Sequence, residues 1–131
     1  MSVYIIAEIG INHKGDIVTA CELINVAVDC GADAVKFQAF DSELLGRPEL
    51  EQYEFGMPEF NELHQYCKMK GIDFLCTAFD VEWLKAIDPF VKQIKIPSSK
   101  LTDSTYLRAC GKLGKPIIMS TGYRRRGDSQ C

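Results

Sequence analysis

Val3-Tyr4-Ile5-Ile6-Ala7-Glu8-Ile9-Gly10-Ile11-Asn12-His13-Lys14-Gly15-Asp16 is the stretch whose reading decides the fold. It opens on an unbroken apolar run with no polar alternation. That pattern predicts a strand over residues 3–9, buried on both faces of a parallel sheet. The run then ends in a carboxylate, a glycine, an amide, an imidazole and a second glycine. Polar groups gathered where such a strand ends suit a site built at one rim of a parallel sheet.

Working outward, the same plan recurs. Asp16 is placed to cap a first helix with apolar positions Ala20, Leu23, Ile24, Ala27 and Val28, and Gly31 supplies its left-handed stop. Strands are then expected over residues 34–40, 72–79, 93–98 and 116–122. Between them lie a helix from Pro58 to Gly71, a short helix capped by Asp80, and a helix capped by Thr102 or Asp103 that stops at Gly114. Residues 41–57 read as a polar, irregular connection of the kind that covers sites. Strands alternating with helices mean a parallel sheet with right-handed crossovers. An open doubly wound sheet and a (β/α) TIM-type barrel both satisfy that order. The spacing Gly10-x-x-x-x-Gly15 matches neither the dinucleotide fingerprint nor a phosphate-binding loop ending in Gly-Lys-Ser/Thr. Polar residues fall at the end of every strand (Glu8, Gln38, Thr77, Ser98 and Ser120), which favours the barrel, whose sites draw on many strand ends.

The totals narrow the function classes. A chain of 131 residues, 47% hydrophobic and 25% charged, has the composition of one globular domain. Fifteen Lys and Arg against eighteen Asp and Glu leave a net charge of −3, with no basic stripe before the last residues, so nucleic acid is not an expected partner. No apolar run approaches the ~20 residues of a membrane span, and no basic or cleavage-like leader precedes Val3, so neither a membrane nor export is expected and a cytoplasmic location is. Six cysteines (Cys21, Cys30, Cys67, Cys76, Cys110 and Cys131) form no Cys-x-x-Cys pair and no zinc spacing; they read as reduced thiols acting as small hydrophobes.

The rim residues suggest chemistry. Lys36 and Lys95 sit inside apolar strands, where a lysine is costly unless an anion meets it or its stem carries the ammonium out to water. Thr77, Ser98, Ser99, Ser120 and Thr121 add hydroxyls, and Gly122 a backbone N–H. Two cations with several neutral donors suit a phosphate and a carboxylate together. Glu8, Asn12 and His13 add an acceptor, an amide and a titratable ring able to orient a carbonyl substrate and move a proton. A loop histidine such as His13 is otherwise simply solvated, and His64 lies mid-helix as a structural residue. Asp16, Asp80 and Asp103 read as helix caps.

These stretches also carry a resemblance. Ala7 to Asp16, Gly31-Ala32-Asp33-Ala34-Val35-Lys36-Phe37-Gln38, Phe74-Leu75-Cys76-Thr77-Ala78-Phe79-Asp80, Lys95-Ile96-Pro97-Ser98 and Lys115-Pro116-Ile117-Ile118-Met119-Ser120-Thr121-Gly122 resemble, in order, the first five strand regions of the sialic acid (N-acetylneuraminate) synthase family. The resemblance implies a TIM barrel of which about five of eight strands are present, with residues 1–122 as its N-terminal portion and 123–131 as a disordered tail outside the family pattern. It implies a transferase of carbohydrate (sialic acid) biosynthesis that joins phosphoenolpyruvate to N-acetylmannosamine or a related amino sugar, giving a nine-carbon 2-keto sugar acid and phosphate. By position, Lys36 and Lys95 would hold phosphoenolpyruvate with Thr77, Ser98 and Ser120; Glu8 would be the catalytic carboxylate beside the sugar, with Gln38 and Asn12 as neighbours. The family's divalent metal, manganese or magnesium, is held by two histidines of its later half, so no metal ligand is expected in this chain. Full-length members are expected to be homodimers. The departures are Ser98-Ser99-Lys100, where many members carry Ser-Gly-Glu, a shorter 41–57 connection, and the end of the resemblance at Gly122. A non-catalytic domain that binds a phosphorylated ligand is the alternative these departures leave open.

Overall fold

The computed structural model describes residues 2–122, and the structural statements below concern these; the tail over 123–131 lies outside the described residues. The chain alternates strand and helix as the sequence predicts: β1 (Ile6–Gly10), α1 (Ile17–Asp29), β2 (Ala34–Ala39), α2 (Met57–Lys70), β3 (Asp73–Ala78), α3 (Val81–Ile87), β4 (Ile94–Ile96), α4 (Ser104–Lys112) and β5 (Ile117–Met119). Every strand pairing is parallel. The ladders come in two groups, β1-β2-β3 and β4-β5.

β4 lies against β3 without ladder hydrogen bonds. Packing joins the two groups instead. One apolar core runs through both, from Ile9 and Val35 through Phe74 and Cys76 to Ile94, Ile96 and Tyr106. Tyr106 of α4 is 1% exposed, and its hydroxyl donates to the Ala78 carbonyl at the end of β3 (2.5 Å). A carbonyl left free where the strand ends is thereby satisfied from the neighbouring unit.

The helices begin where side-chain oxygens replace missing backbone partners. Asp16 accepts from the Val18 and Thr19 N–H groups (3.4 and 3.1 Å), Asp80 from Trp83 N–H (2.7 Å) and Asp103 from Tyr106 N–H (3.0 Å). Asp103, not Thr102, is therefore the cap of α4. Each longer helix turns an apolar stripe inward: Ala20, Ile24 and Ala27 of α1, and Phe60, Leu63 and Cys67 of α2, are buried. Five cysteines are free thiols, and three of them (Cys67, Cys76 and Cys110) are buried as apolar filler.

Three expectations need correction. β1 starts later than the apolar run suggests, because Val3, Tyr4 and Ile5 are exposed. It is also not buried on both faces. Ile9 packs into the core on the α1 side, while Glu8 on the other face is exposed; apolar character alone does not tell a strand whether both of its faces are covered. β2 and β3, flanked by strands on both sides, do have the two-sided burial. β4 and β5 are each three residues long, so Ser98 and Ser120 stand just beyond the strands rather than within them. Among the described residues, the outer edges of β1 and β5 have no strand partner.

The 41–57 connection is more ordered than its composition suggests. It holds a 3-10 helix, Pro48–Tyr53, and two buried anchors, Ser42 and Phe55. Glu54 accepts from the Ser42 N–H (2.5 Å), pinning the two ends of the segment together. The segment lies directly on the turn after β1. A Cβ on Gly15 would sit 2.1 Å from the Gln52 carbonyl oxygen, at a φ of +75° that L side chains rarely adopt.

Gly15→Ala is accordingly expected to destabilise by more than ~2 kcal/mol, since it combines left-handed strain with a clash against backbone. Gly111 in α4 has open space at its Cβ and no left-handed φ, so Gly111→Ala should stabilise by roughly 0.5–1 kcal/mol. Urea unfolding midpoints that move the same way for both variants would contradict this account.

Candidate functional site

The site grows from strand period and register. Residues two apart in a strand share a face. Lys36 lies opposite Glu8 in β1 and Leu75 in β3. Its side chain leans two residues onward and donates to the Thr77 hydroxyl (2.6 Å), while its ammonium lies 3.2 Å from the Glu8 carboxylate. Lys36 is 6% exposed, so its stem does not carry the charge out to water. Lys95 repeats the arrangement. It lies opposite Ile118, and its ammonium donates to Ser120 Oγ, two residues beyond that partner. Two βαβ units thus place a lysine and a hydroxyl at the same relative register.

The two cations sense each other. Lys95 is held below the usual lysine range, first by loss of hydration and then by repulsion from Lys36, with the Glu8 carboxylate pulling the other way. Glu8, Lys36 and Lys95 therefore act as one electrostatic group. Each hydroxyl accepts from an ammonium, which leaves its own O–H free to donate to an acceptor from outside.

Gln38 is opposite Thr77 and turns toward β1: a Cβ on Gly10 would lie 2.9 Å from Gln38 Oε1. The ladder shifts register between Glu8 and Gly10, and Gly10 has a φ of +59°. This bulge lets the Gln38 amide cover the end of β1. Ser98 meets Gly122 so closely that a Cβ there would be 2.6 Å from Ser98 Cβ, which joins the ends of β4 and β5. Lys100 lies 3.4 Å from Asp103 and over the Tyr106 ring.

Asn12 is exposed and lines a cleft of about 320 Å³ between β1 and α1 together with Glu8, Ala7, Ile9 and Leu23; among the described residues no side-chain hydrogen bond joins it to Lys36 or Lys95. His13 departs from expectation. It is 1% exposed, stacked on Phe55 with ring centroids 4.0 Å apart, and its Nδ1 accepts from the Gly15 N–H (2.9 Å). Burial lowers its pKa, so the ring is neutral and carries its proton on Nε2. His13 thus locks the 41–57 segment onto the turn after β1. Phe55 was not legible as its partner, because two buried aromatics 42 positions apart share no local spacing. His64 is structural in kind, packed against Phe74 and Phe90.

Among the described residues, no group of three or more His, Cys, Asp or Glu side chains is arranged to hold a metal ion, and no helix is long and apolar enough to cross a membrane.

An α/β architecture of parallel strands, with a lysine–hydroxyl cluster where strands end, defines the class of protein. Comparison with known proteins then places it. The NeuB family model matches residues 23–130, and the chain belongs to the NeuB family. It is 39% identical over 132 residues to an uncharacterized protein of Methanocaldococcus jannaschii, 36% identical to the N,N'-diacetyllegionaminic acid synthase of Legionella pneumophila, and 33% identical to human N-acetylneuraminate-9-phosphate synthase. These matches cover 95, 93 and 92% of the chain but only 39, 40 and 39% of the relatives, so the chain spans about two fifths of their length. Among solved structures, the N-acetylneuraminic acid synthetase of Leptospira borgpetersenii, in complex with citrate, superposes with a TM-score of 0.89 at 36% identity, over 95% of this chain and 46% of that one. A truncated 3-deoxy-D-arabino-heptulosonate 7-phosphate synthase of Thermotoga maritima shares the fold at 14% identity, with a TM-score of 0.72 over 94% of this chain and 42% of that one.

Two outcomes check this electrostatic account. Lys36→Met should raise the Lys95 pKa and Glu8→Gln should lower it further, read from the Lys95 side-chain NMR titration; shifts of the same sign would contradict the mutual coupling. His13 is neutral when folded and titrates near 6.5 when unfolded, so its contribution is present above that pH and lost as the pH falls below it. His64 is depressed in the same direction, by burial and by Lys68. The urea midpoint should therefore fall from pH 7 to pH 5, and His13→Phe should reduce that slope without abolishing it.

Proposed function

We propose that this chain is the N-terminal portion of a phosphoenolpyruvate-dependent condensing enzyme of the sialic acid synthase type, built on a (β/α) barrel. The observation that carries the reading is the repeated lysine–hydroxyl pair. Lys36 with Thr77 and Lys95 with Ser120 present two cations and two free O–H donors, against the single carboxylate of Glu8. The remaining positive charge suits a small, multiply anionic ligand. A relative solved with citrate, a polycarboxylate, is in keeping with that chemistry.

In this reading Lys36 and Lys95 bind the phosphate and carboxylate of phosphoenolpyruvate, and Thr77, Ser98 and Ser120 donate to its oxygens. Glu8, half-exposed beside Lys36, orients the aldehyde of an amino sugar such as N-acetylmannosamine. Gln38 holds the β1 side of the pocket, and Asn12 stands at its periphery. The methylene carbon of phosphoenolpyruvate attacks the aldehyde carbon, forming the C–C bond. Water adds to the resulting oxocarbenium carbon, and the C–O bond to phosphate breaks to give the 2-keto acid. The divalent metal implied by the resemblance finds no ligand group among the described residues, so no step is routed through it here. The other reading, a non-catalytic domain that binds a phosphorylated ligand, rests on the same lysine–hydroxyl pairs and on Ser98-Ser99-Lys100, which departs from the Ser-Gly-Glu that the resemblance implies there.

Calorimetry with phosphoenolpyruvate tests the anion site. Each of Lys36→Ala and Lys95→Ala should weaken binding at least about tenfold, the scale of a lost charge-assisted hydrogen bond; unchanged affinity in both overturns the assignment. Phosphate release from phosphoenolpyruvate, N-acetylmannosamine and manganese then separates the readings. Turnover only after addition of a fragment carrying a relative's remaining strands supports the condensing enzyme, and binding with no turnover under either condition supports the binding domain.

A further inference from the structure

The two lysine–hydroxyl pairs belong to different ladders. Lys36 and Thr77 lie in the β1-β2-β3 group, while Lys95 lies in β4 and Ser120 just beyond β5. Within each pair the strand register sets the spacing. Between the pairs no register acts, because β3 and β4 pack together without exchanging ladder hydrogen bonds. A seam therefore runs between the two cations, and something other than backbone pairing has to hold it at one width.

At the start of the strands the seam is crossed by Lys92, which meets Asp73 (2.7 Å) but is largely exposed, so that pair holds little. At the site end it is crossed by the Tyr106 hydroxyl, which donates to the carbonyl of Ala78, the residue after Thr77. Among the described residues no other side-chain hydrogen bond crosses the seam there. Tyr106 is itself fixed on the β4 side. Its ring lies under the Lys100 ammonium (5.7 Å to the centroid), in the turn after β4, and its N–H donates to Asp103 (3.0 Å). Burial, and then the adjoining Cys110 thiol, push the hydroxyl above the usual tyrosine range, so it stays protonated and a donor. The residue is almost wholly enclosed, so bulk water does not compete for the Ala78 carbonyl.

We propose that Tyr106 is a positioning residue: by tying the end of β3 to α4 and to the turn after β4, it sets the separation of the Lys36–Thr77 and Lys95–Ser120 pairs, and with it the length of the anion that bridges them. The ligand part rests on the phosphoenolpyruvate reading above; the separation itself does not. A molecule that carries phosphate and carboxylate together needs both pairs at one spacing, whereas inorganic phosphate needs only one pair. Loss of hydration, and then repulsion from Lys36 across the seam, hold Lys95 below the usual lysine range, so its titration reads the separation with no ligand present.

Tyr106→Phe in the full chain is the test, since it keeps the ring and removes only the oxygen that crosses the seam. The Lys95 side-chain NMR titration midpoint should rise toward the ordinary lysine value in this variant. By calorimetry, its affinity for phosphoenolpyruvate should fall at least about fivefold, while that for inorganic phosphate stays within about twofold. Two controls should move neither readout: Lys92→Ala, which cuts the link at the other end of the seam, and Cys110→Ala, which thins the packing behind the hydroxyl without removing it. An unchanged Lys95 midpoint overturns the proposal. So do an unchanged affinity for phosphoenolpyruvate, an equal loss for both ligands, or a Tyr106→Phe chain that no longer folds, each of which makes Tyr106 a packing residue alone. A parent chain that does not bind phosphoenolpyruvate defeats the anion reading instead, and the Lys95 midpoint then decides on Tyr106 by itself.

Discussion

The Lys36 ammonium, closed off from water between Glu8 and Thr77, is the constraint from which much of the remaining structure follows. A charge in that position is tolerable only while both partners stay in place. Glu8 must be opposite Lys36, which fixes the β1–β2 register; Thr77 must lie two residues past Leu75, which fixes β2–β3. A one-residue slip would turn either partner to the other side of the sheet. The register that buries the apolar side chains is therefore the register that neutralises the lysine.

Much of this was legible in the sequence. Apolar runs located five strands, and aspartates before apolar stripes located the starts of α1, α3 and α4, because capping is a contact between residues two or three apart. The lysines were legible for a different reason: a cation inside an apolar strand is a cost that needs a partner somewhere. The partners were partly legible too, since Thr77 and Ser120 stood at strand ends. Comparison with known proteins agrees with the family resemblance carried by the same motifs.

What escaped the sequence depended on distant contacts. The direct pairing of Glu8 with Lys36 follows from register, which apolar pattern does not state. The burial of His13 requires Phe55, brought over it by a connection whose polar composition conceals a 3-10 turn and two buried anchors. Asn12 shares a cleft with Glu8, but that it makes no side-chain hydrogen bond to either lysine depends on the path of the turn after β1, which the sequence does not state. The ends of β4 and β5 were overextended because Pro97, Ser98 and the residues after Met119 continue an extended-looking sequence after the ladder has ended.

Among the described residues, the outer edges of β1 and β5 have no strand partner, and each is a row of backbone donors and acceptors with exposed apolar side chains nearby, Ile5 beside one and Ile117 and Met119 on the other. Every ladder in the structure is parallel. A strand that continued this sheet in the same sense would therefore reach either edge by a crossover connection and not by a tight hairpin.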